Sequence, residues 1–232
     1  MDITGKIISN SKLNDYAHHL SVKLTEPVSL DFAAGQFLMV EVGQNQKRAY
    51  SIANSESQKD LIEFIIDTRP GGLGSQFGLQ AKPDDIVKMA GPFGHLKVTD
   101  TPAPKIFLAN GCGIPPMKSM IETMLEQKRP EKIILLWGMR FFGDLYLEER
   151  FETLEQIHPN FMFKICISRP EHENDREYCT FGHVTDALCL SEIKQHVDAE
   201  YYMCGKIEMI KEVTDELKKR GIGTEKIFSE GY

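Results

Sequence analysis

The segment RAYSIAN, residues 48–54, places an arginine, a tyrosine and a serine within four positions of a strand-like alternation of apolar and polar residues. The Arg48 guanidinium is a planar fork of donors that matches phosphate. The Tyr50 ring offers a face for stacking, and the Ser51 hydroxyl can hydrogen-bond a ring nitrogen. Taken alone, Tyr50 could equally be a packed strand aromatic and Arg48 a solvated charge.

A second candidate anion site lies in TRPGGLGSQ, residues 68–76. The pair Gly71 and Gly72 makes the backbone flexible, and Ser75 follows with a hydroxyl, so the segment predicts a phosphate cradle. A hydrolase elbow needs the pattern GxSxG, but Leu73 stands where its first glycine should be. The segment therefore does not predict a serine nucleophile.

The third candidate is NGCGIPPMKSM, which follows the short apolar run KIFLA at residues 105–109. Gly111 and Gly113 match the first two glycines of GxGxxG, the turn at which dinucleotides meet a helix N-terminus. Pro116 takes the third position and suits the first turn of a helix. An ordinary connector stays open as an alternative. A phosphate-binding P-loop is excluded because Met117 occupies its required glycine.

Composition limits the classes of function. The net charge of −7 over 232 residues disfavours nucleic acid as a partner. Five scattered cysteines without a CxxC pair predict reduced thiols, a cytoplasmic location and no bound metal. No run approaches the roughly twenty apolar residues of a membrane span, and the N-terminus has no apolar signal core.

The order of elements predicts two domains. Short alternating runs, at residues 19–25, 36–42, 48–54, 61–68 and 85–91, indicate an antiparallel β-barrel over residues 1–100. After the proline-containing segment 99–104, apolar strands at 105–109, 133–137, 162–167, 201–204 and 226–228 alternate with helical patterns. This alternation predicts a doubly wound parallel α/β domain over residues 101–232.

With these motifs in place, the chain resembles the ferredoxin–NADP reductase superfamily of two-domain flavoprotein reductases. Five motifs occur in the family order: RAYS (48–51), GGLGS (71–75), GPFG (91–94), GCGIPP (111–116) and YMCGKIEM (202–209). The resemblance covers essentially the whole chain. It implies a β-barrel that binds FAD, followed by an α/β domain that binds NADPH or NADH.

The resemblance also implies roles for individual residues. Arg48 would hold the FAD pyrophosphate, Tyr50 would stack on the isoalloxazine, and Ser51 would hydrogen-bond near its N5. The residues that would wrap the pyrophosphate are Gly71, Gly72 and Ser75. Tyr232, the C-terminal aromatic residue, could cover the flavin, although a frayed terminus is an equal alternative.

For the nicotinamide dinucleotide, the implied turn is Gly111, Cys112, Gly113 and Pro116, while Cys204 and Gly205 would lie beside the nicotinamide. Two positions depart from the family pattern. Cys112 replaces a threonine, and Lys206–Ile207 replaces a Pro-Pro pair after the Cys-Gly. The second departure leaves the local cofactor contact open. Cys204 could also be a small buried residue at the end of a strand.

The choice between NADPH and NADH depends on the ends of the second and third parallel strands. The second ends in WGMR, without the acid that binds the ribose of NAD, and the third ends in Ser168–Arg169. Arg140 and Arg169, with Tyr178 following, resemble a site for a 2′-phosphate. Relatives that use NADH also carry SRP, so both dinucleotides stay open.

The resemblance therefore implies an FAD-dependent NAD(P)H oxidoreductase that passes electrons to an external acceptor. The acceptor would be a ferredoxin, a flavodoxin, an oxygenase component or a small molecule. Tyr50, Ser51 and Cys204 are the residues predicted to shape the catalytic geometry. Two alternatives remain: a stand-alone flavin reductase that uses free flavin as its substrate, and a non-catalytic dinucleotide-binding or accessory electron-transfer subunit.

Overall fold

The structure, a computed structural model, describes residues 1–43, 45–172 and 176–231. Contacts divide the chain into two compact units. The barrel unit consists of Met1–Val98 and Lys118–Glu126, and the parallel unit consists of Thr99–Met117 and the chain from Gln127 onward. The domain limits of 1–100 and 101–232 stay a prediction.

The N-terminal part of the barrel unit forms a six-stranded antiparallel sheet and a short helix. Its elements are β1 (Asp2–Lys12), β2 (Ala17–Glu26), β3 (Phe37–Glu41), β4 (Lys47–Ser51), β5 (Leu61–Asp67), α1 (Leu73–Gln80) and β6 (Ile86–Phe93). The strand order is β4-β3-β6-β1-β2-β5. Beyond the end of β4, the Ala53 N–H donates to the Glu63 carbonyl of β5 at 2.8 Å, which joins the two edge strands. The predicted antiparallel fold is confirmed.

Alternation along the strands builds the core of this unit. In β3, Leu38 and Val40 are fully buried while Phe37, Met39 and Glu41 are half-buried, because successive side chains point to opposite faces. The same pattern buries Ile62, Phe64 and Ile66 of β5. The core thus fixes which side chains of β4, the partner of β3, face inward.

The parallel unit contains a six-stranded sheet. Its strands are β7 (Lys105–Asn110), β8 (Ile133–Met139), β9 (Phe161–Ile167), β10 (Cys179–Phe181), β11 (Glu200–Gly205) and β12 (Ile227–Gly231). All neighbouring strands pair in parallel, in the order β10-β9-β8-β7-β11-β12. The chain order reverses at β7 and β11, which creates the topological switch point where ligands bind in such sheets.

Helices connect the strands of this sheet. They are α2 (Ile114–Glu126), α3 (Glu148–Ile157), α4 (Val184–Ala187), α5 (Ser191–Lys194) and α6 (Ile207–Lys219). The apolar residues of α2 recur with helical spacing and are buried at Met117, Met120, Ile121, Met124 and Leu125. Residues 118–126 of this helix belong to the barrel unit, where the Ser119 hydroxyl donates to the Asn54 carbonyl at 2.7 Å.

Candidate functional site

Strand β4 presents the arginine and the tyrosine on one face of the barrel sheet. The register of β3 and β4 places Tyr50 opposite Leu38 and Arg48 opposite Val40. Directly opposed residues share a face, so both side chains lie on the face to which the buried Leu38 and Val40 belong. The predicted pairing of cation and ring is therefore present in the structure.

The Tyr50 ring is held at both ends. Its centroid lies 5.9 Å from that of Phe64, with the ring planes tilted by 54°. Its hydroxyl oxygen lies next to Gly74. A Cβ built on Gly74 would be less than 3.0 Å from that oxygen. Burial raises the pKa of Tyr50 to about 12 and outweighs the nearby positive charge of Arg48, so the phenol is neutral.

The glycine-rich loop and the start of α1 form an open cradle next to this ring. Gly71 has φ +71°, and nothing lies within 4 Å of a Cβ built on either Gly71 or Gly72. Gly72 is the N-cap of α1, without a side-chain cap, and no acidic residue lies in the first turn. The N–H groups of a first helical turn lack partners within the helix and favour an anion.

Ser75 supports this loop from beneath. It is buried, and its hydroxyl accepts from the Gly71 N–H at 3.1 Å and donates to the Asp67 carbonyl at 3.4 Å. The hydroxyl is thus bonded to the loop itself. The structure brings Ser75 to the predicted place, as a residue that shapes the cradle.

The Arg48 guanidinium is exposed beside the same cradle. It donates to the Lys47 carbonyl at 2.9 Å and to the Gln46 side-chain oxygen at 3.0 Å. Among the described residues, no carboxylate forms an ion pair with it. Its Cγ lies 3.5 Å from the position of a Cβ on Gly74, so the side chain crosses the start of α1. Its charge remains available for an anion.

Ser51 ends β4 on the other face. The register pairs it with Phe37, whereas Tyr50 pairs with Leu38. Phe37 in turn lies 5.9 Å, centroid to centroid, from the half-exposed Phe93 of the GPFG motif. The structure therefore does not place the Ser51 hydroxyl on the Tyr50 face, and the flavin contact of Ser51 stays a prediction.

In the parallel unit, two turns meet at the switch point. A Cβ on Gly113 would lie less than 3.0 Å from the Cys204 carbonyl oxygen. A Cβ on Gly205, which has φ +150°, would lie equally close to the Asn110 side-chain oxygen. That oxygen accepts the Lys206 N–H at 3.0 Å. The turn after β7 and the turn after β11 are thus joined by close backbone approach and one hydrogen bond.

Two aromatic side chains hold the Gly111 carbonyl. Trp137 Nε1 donates to it at 3.0 Å and the Tyr146 hydroxyl at 3.5 Å. The two rings pack edge to face at 4.8 Å. The Cys112 sulfur lies 3.8 Å from the same hydroxyl. These contacts fix the turn in which the sequence predicts the dinucleotide.

Cys204 is buried at the end of β11. Burial, together with the negative charge of Glu230, raises the pKa of its thiol to about 12. The thiol is therefore protonated at ordinary pH and is neither a nucleophile nor a base. Pro116 is buried in the first turn of α2, as expected for that position. Tyr232 lies outside the described residues.

The carboxyl ends of β8 and β9 bring two arginines together. The Arg169 N–H donates to the Arg140 carbonyl at 2.9 Å, and both residues are exposed. The Ser168 hydroxyl donates to the Met139 carbonyl at 3.3 Å. Tyr178 does not join this group, because it stacks on Phe163 at 5.0 Å near the other end of β9.

The position of Tyr178 is fixed by a further bond. Its hydroxyl donates to Glu148 at 2.9 Å. Burial and this bond raise its pKa well above the usual range. The part of the expected 2′-phosphate site that depended on Tyr178 is therefore not assembled in the structure.

Several residues of the site were not among the predicted site residues. They are Gly74, Asn110, Trp137 and Tyr146. Gly74 and Asn110 lie inside the quoted motifs GGLGS and NGCGIPP, so the motifs pointed to them. Trp137 and Tyr146 contact the site by donating to the Gly111 carbonyl. Neither their residue types nor their spacing in the sequence predicts such a contact.

These features fit the two cofactors that the resemblance implied. The cradle of Gly71 and Gly72, the uncapped start of α1 and the cation of Arg48 suit a pyrophosphate, while Tyr50 offers a ring face. The turn from Gly111 to Gly113 meets the start of α2, which has no acidic residue in its first turn. Fold and site together define an oxidoreductase that binds FAD and a nicotinamide dinucleotide.

Known families of similar sequence agree with this class. The model of the oxidoreductase FAD-binding domain matches residues 4–98, and that of the oxidoreductase NAD-binding domain matches residues 107–215. The chain belongs to the ferredoxin–NADP reductase superfamily of flavoprotein oxidoreductases. The family, the enzyme class and the cofactors predicted from the sequence are confirmed.

Curated relatives include two kinds of electron-transfer protein. The toluate 1,2-dioxygenase electron transfer component of Pseudomonas putida is 31% identical over 97% of the chain and 66% of its own length. One of the subunits of the Na(+)-translocating NADH-quinone reductase of Marinomonas sp. is 28% identical over the same shares. The chain thus spans slightly less than two thirds of these relatives.

Solved structures share the fold over the whole chain. A cytochrome P450 reductase from Amycolatopsis superposes with a TM-score of 0.89 at 24% identity, over 100% of this chain and 69% of that one. A ferredoxin NADP+ reductase from Neisseria gonorrhoeae, solved with FAD and NADP, gives 0.84 at 21% identity over 99% and 98%.

Membrane-spanning helices and metal clusters are both absent from residues 1–43, 45–172 and 176–231. None of the helices there combines the length and the apolar character that crossing a bilayer requires. In the same ranges, no group of three or more His, Cys, Asp or Glu side chains is arranged to hold a metal ion.

Proposed function

We propose that this chain retains FAD and passes electrons from NAD(P)H to an external acceptor, which is a ferredoxin, a flavodoxin or an oxygenase component. The observation that carries the proposal is the meeting of strand β4 and the glycine loop at Gly74. A site for a ring and a cradle for a pyrophosphate adjoin there, as a bound dinucleotide flavin requires. The names of the relatives, an oxygenase electron transfer component and part of a quinone reductase, support an electron-transfer role.

In the barrel unit, Arg48 and the first turn of α1 bind the pyrophosphate, and Tyr50 packs against the flavin ring. The neutral phenol keeps the ring site uncharged, since the pKa of Tyr50 is raised to about 12. Ser51 orients the flavin near N5. Ser51→Ala should slow flavin reduction more than it weakens FAD binding. Stopped-flow reduction at the parent rate would show that Ser51 has no such role.

In the parallel unit, the turn from Gly111 to Gly113 binds the dinucleotide, and Cys204 and Gly205 lie beside the nicotinamide. When bound, NAD(P)H and FAD would together supply the hydride and electron-transfer chemistry of the reaction. The Cys204 thiol fills space beside the nicotinamide and holds its proton throughout, because its pKa is raised to about 12.

Arg140 and Arg169 favour NADPH, because two neighbouring guanidinium groups suit a 2′-phosphate. The double variant Arg140→Ala/Arg169→Ala should lower kcat/KM for NADPH and leave that for NADH nearly unchanged. An equal loss of kcat/KM with both dinucleotides would show that the arginines contact a part that NADPH and NADH have in common. An unchanged ratio and rate would remove them from the site.

Steady-state oxidation of NAD(P)H with ferricyanide as acceptor tests the enzyme assignment. Turnover by protein that carries FAD supports the proposed reductase. Absence of turnover would favour the accessory electron-transfer role. Turnover that requires added free flavin would favour a stand-alone flavin reductase.

A further inference from the structure

Gly74 is the point at which the two halves of the FAD site touch. It is the second residue of α1, whose N-cap is Gly72. The Tyr50 hydroxyl lies over it at a distance that leaves no space for a Cβ, and the Arg48 side chain passes beside it. One backbone position thus contacts both the ring residue and the pyrophosphate cation of β4.

The contact leaves Tyr50 little freedom. Phe64, which is fully buried, lies against one part of the ring, and Gly74 lies at its hydroxyl end. A Cβ on Gly74 would meet the Tyr50 hydroxyl at less than 3.0 Å, and side chains in contact respond to an added volume of even one methyl group. A Cβ at position 74 would force the phenol to tilt about its contact with Phe64.

We infer that Gly74 is a positioning residue for FAD, which sets the orientation of the Tyr50 ring relative to the pyrophosphate cradle at the start of α1. The inference deepens the proposed function and rests on the role of Tyr50 given there. Gly71 and Gly72 leave open space for the ligand. Gly74, by contrast, leaves space for a side chain of the protein itself.

The chemistry of the obstruction makes the inference testable. The atom that a Cβ would meet is the Tyr50 hydroxyl oxygen, whereas the next atoms, Arg48 Cγ and Tyr50 Cζ, lie at 3.5 and 3.6 Å, which is ordinary contact. Removing that oxygen should therefore make room for alanine. Alanine also favours a helix over glycine, so Gly74→Ala should not weaken α1 through its propensity.

The experiment measures the dissociation constant of FAD from quenching of flavin fluorescence by the apoprotein, together with the circular dichroism of the bound flavin. Gly74→Ala should raise the dissociation constant about tenfold or more and alter the flavin dichroism. Tyr50→Phe provides the reference for a ring without its hydroxyl. The double variant Gly74→Ala/Tyr50→Phe should return to within about threefold of that reference.

Gly78→Ala is the matched control in the same helix. A Cβ at position 78 would come within 3.0 Å of the Ile66 side chain in the core and would not meet Tyr50. It should lower thermal stability, and Tyr50→Phe should not rescue any loss of FAD affinity that accompanies it. If Tyr50→Phe restored FAD affinity in Gly78→Ala, its effect would not depend on the contact with Gly74, and the inference would be overturned.

Tyr50→Ala separates the role of Tyr50 from the role of Gly74. If this variant binds FAD as the parent does, the proposed role of Tyr50 fails. If it loses FAD while Gly74→Ala binds FAD normally, only the positioning role of Gly74 fails. A double variant that loses affinity as the sum of its two single losses also contradicts the inference, because the two positions would then act independently.

Discussion

We propose that the two units recognise their cofactors by different means. In the barrel unit, the proposed site adds two side chains, the cation of Arg48 and the ring of Tyr50, to the backbone cradle at Gly71 and Gly72. In the parallel unit, the proposed site depends on backbone geometry, since the turns at Gly113 and Gly205 approach each other so closely that neither tolerates a Cβ. A substitution of Arg48 or Tyr50 should therefore weaken cofactor binding in part, whereas any side chain at Gly113 or Gly205 should disrupt the turn.

The largest effect is expected from Gly113→Ala, which tests this rule directly. Its Cβ would collide with the Cys204 carbonyl oxygen, an atom of buried backbone that cannot rotate away. Overpacking costs about 1–3 kcal/mol, and the rigid backbone at this contact points to the upper end of that range, so KM for NAD(P)H should rise roughly a hundredfold. Retained FAD would localise the damage to the parallel unit. Gly143→Ala, which has nothing within 4 Å of its Cβ, serves as the control.

Arg48→Ala should have the next largest effect, and on the other cofactor. Loss of a charged hydrogen bond costs about 1.5–3 kcal/mol, so FAD affinity should fall roughly ten- to a hundredfold. Arg48→Lys should recover part of it, because a lysine keeps the charge but not the fork. Equilibrium dialysis against FAD measures both variants. If neither variant changes FAD affinity, the pyrophosphate is bound by the backbone alone.

Asn110→Ala removes a neutral hydrogen bond between the two turns of the parallel unit. Its side-chain oxygen accepts the Lys206 N–H at 3.0 Å. The loss should cost about 1 kcal/mol and raise KM for NAD(P)H roughly fivefold, with FAD content unchanged. Steady-state kinetics at saturating acceptor gives this value. Asn110→Asp keeps an acceptor and should restore most of the affinity, whereas equal losses in both variants would argue against the bond.

The smallest effect is expected from pH. The pKa of Cys204 is raised to about 12, so the thiol loses no proton between neutral pH and about pH 9. Had the pKa been lowered, a thiolate would form within that range and the rate would change with pH. The pH profile of the rate of flavin reduction should therefore have the same shape in the parent protein and in Cys204→Ala. Parallel pH profiles of parent and variant check this expectation.

The fold was predictable because its signals are periodic. Alternating runs indicated the barrel strands, and the apolar strands β7, β8 and β11 of the second unit are buried on both faces. β1 was missed, since the polar and small residues of DITGKIISNSK hide its alternation. The start of α3 was less predictable, since the apolar Leu147 precedes the helix with φ +62°, while Phe151 and Leu154 form the buried face.

The site was predictable only where residue type carries the chemistry. Arg48 and Tyr50 indicate a cation and a ring, and the glycines of the two turns indicate a close approach. The motifs contained Gly74 and Asn110 but could not indicate their contacts, because those depend on what folds against them. Tyr178 followed Arg169 in sequence, yet its stacking on Phe163 and its bond to Glu148 place it elsewhere.

The visible absorption spectrum of the purified protein, desalted and without added cofactor, decides whether FAD is a resident cofactor. We expect the flavin bands to persist and the released flavin to be FAD, because the proposed site assigns Arg48 and the α1 cradle to its pyrophosphate and Tyr50 to its isoalloxazine. A colourless protein that still oxidises NAD(P)H with free flavin would contradict this expectation. The cradle at Gly71 and Gly72 would then not bind a pyrophosphate.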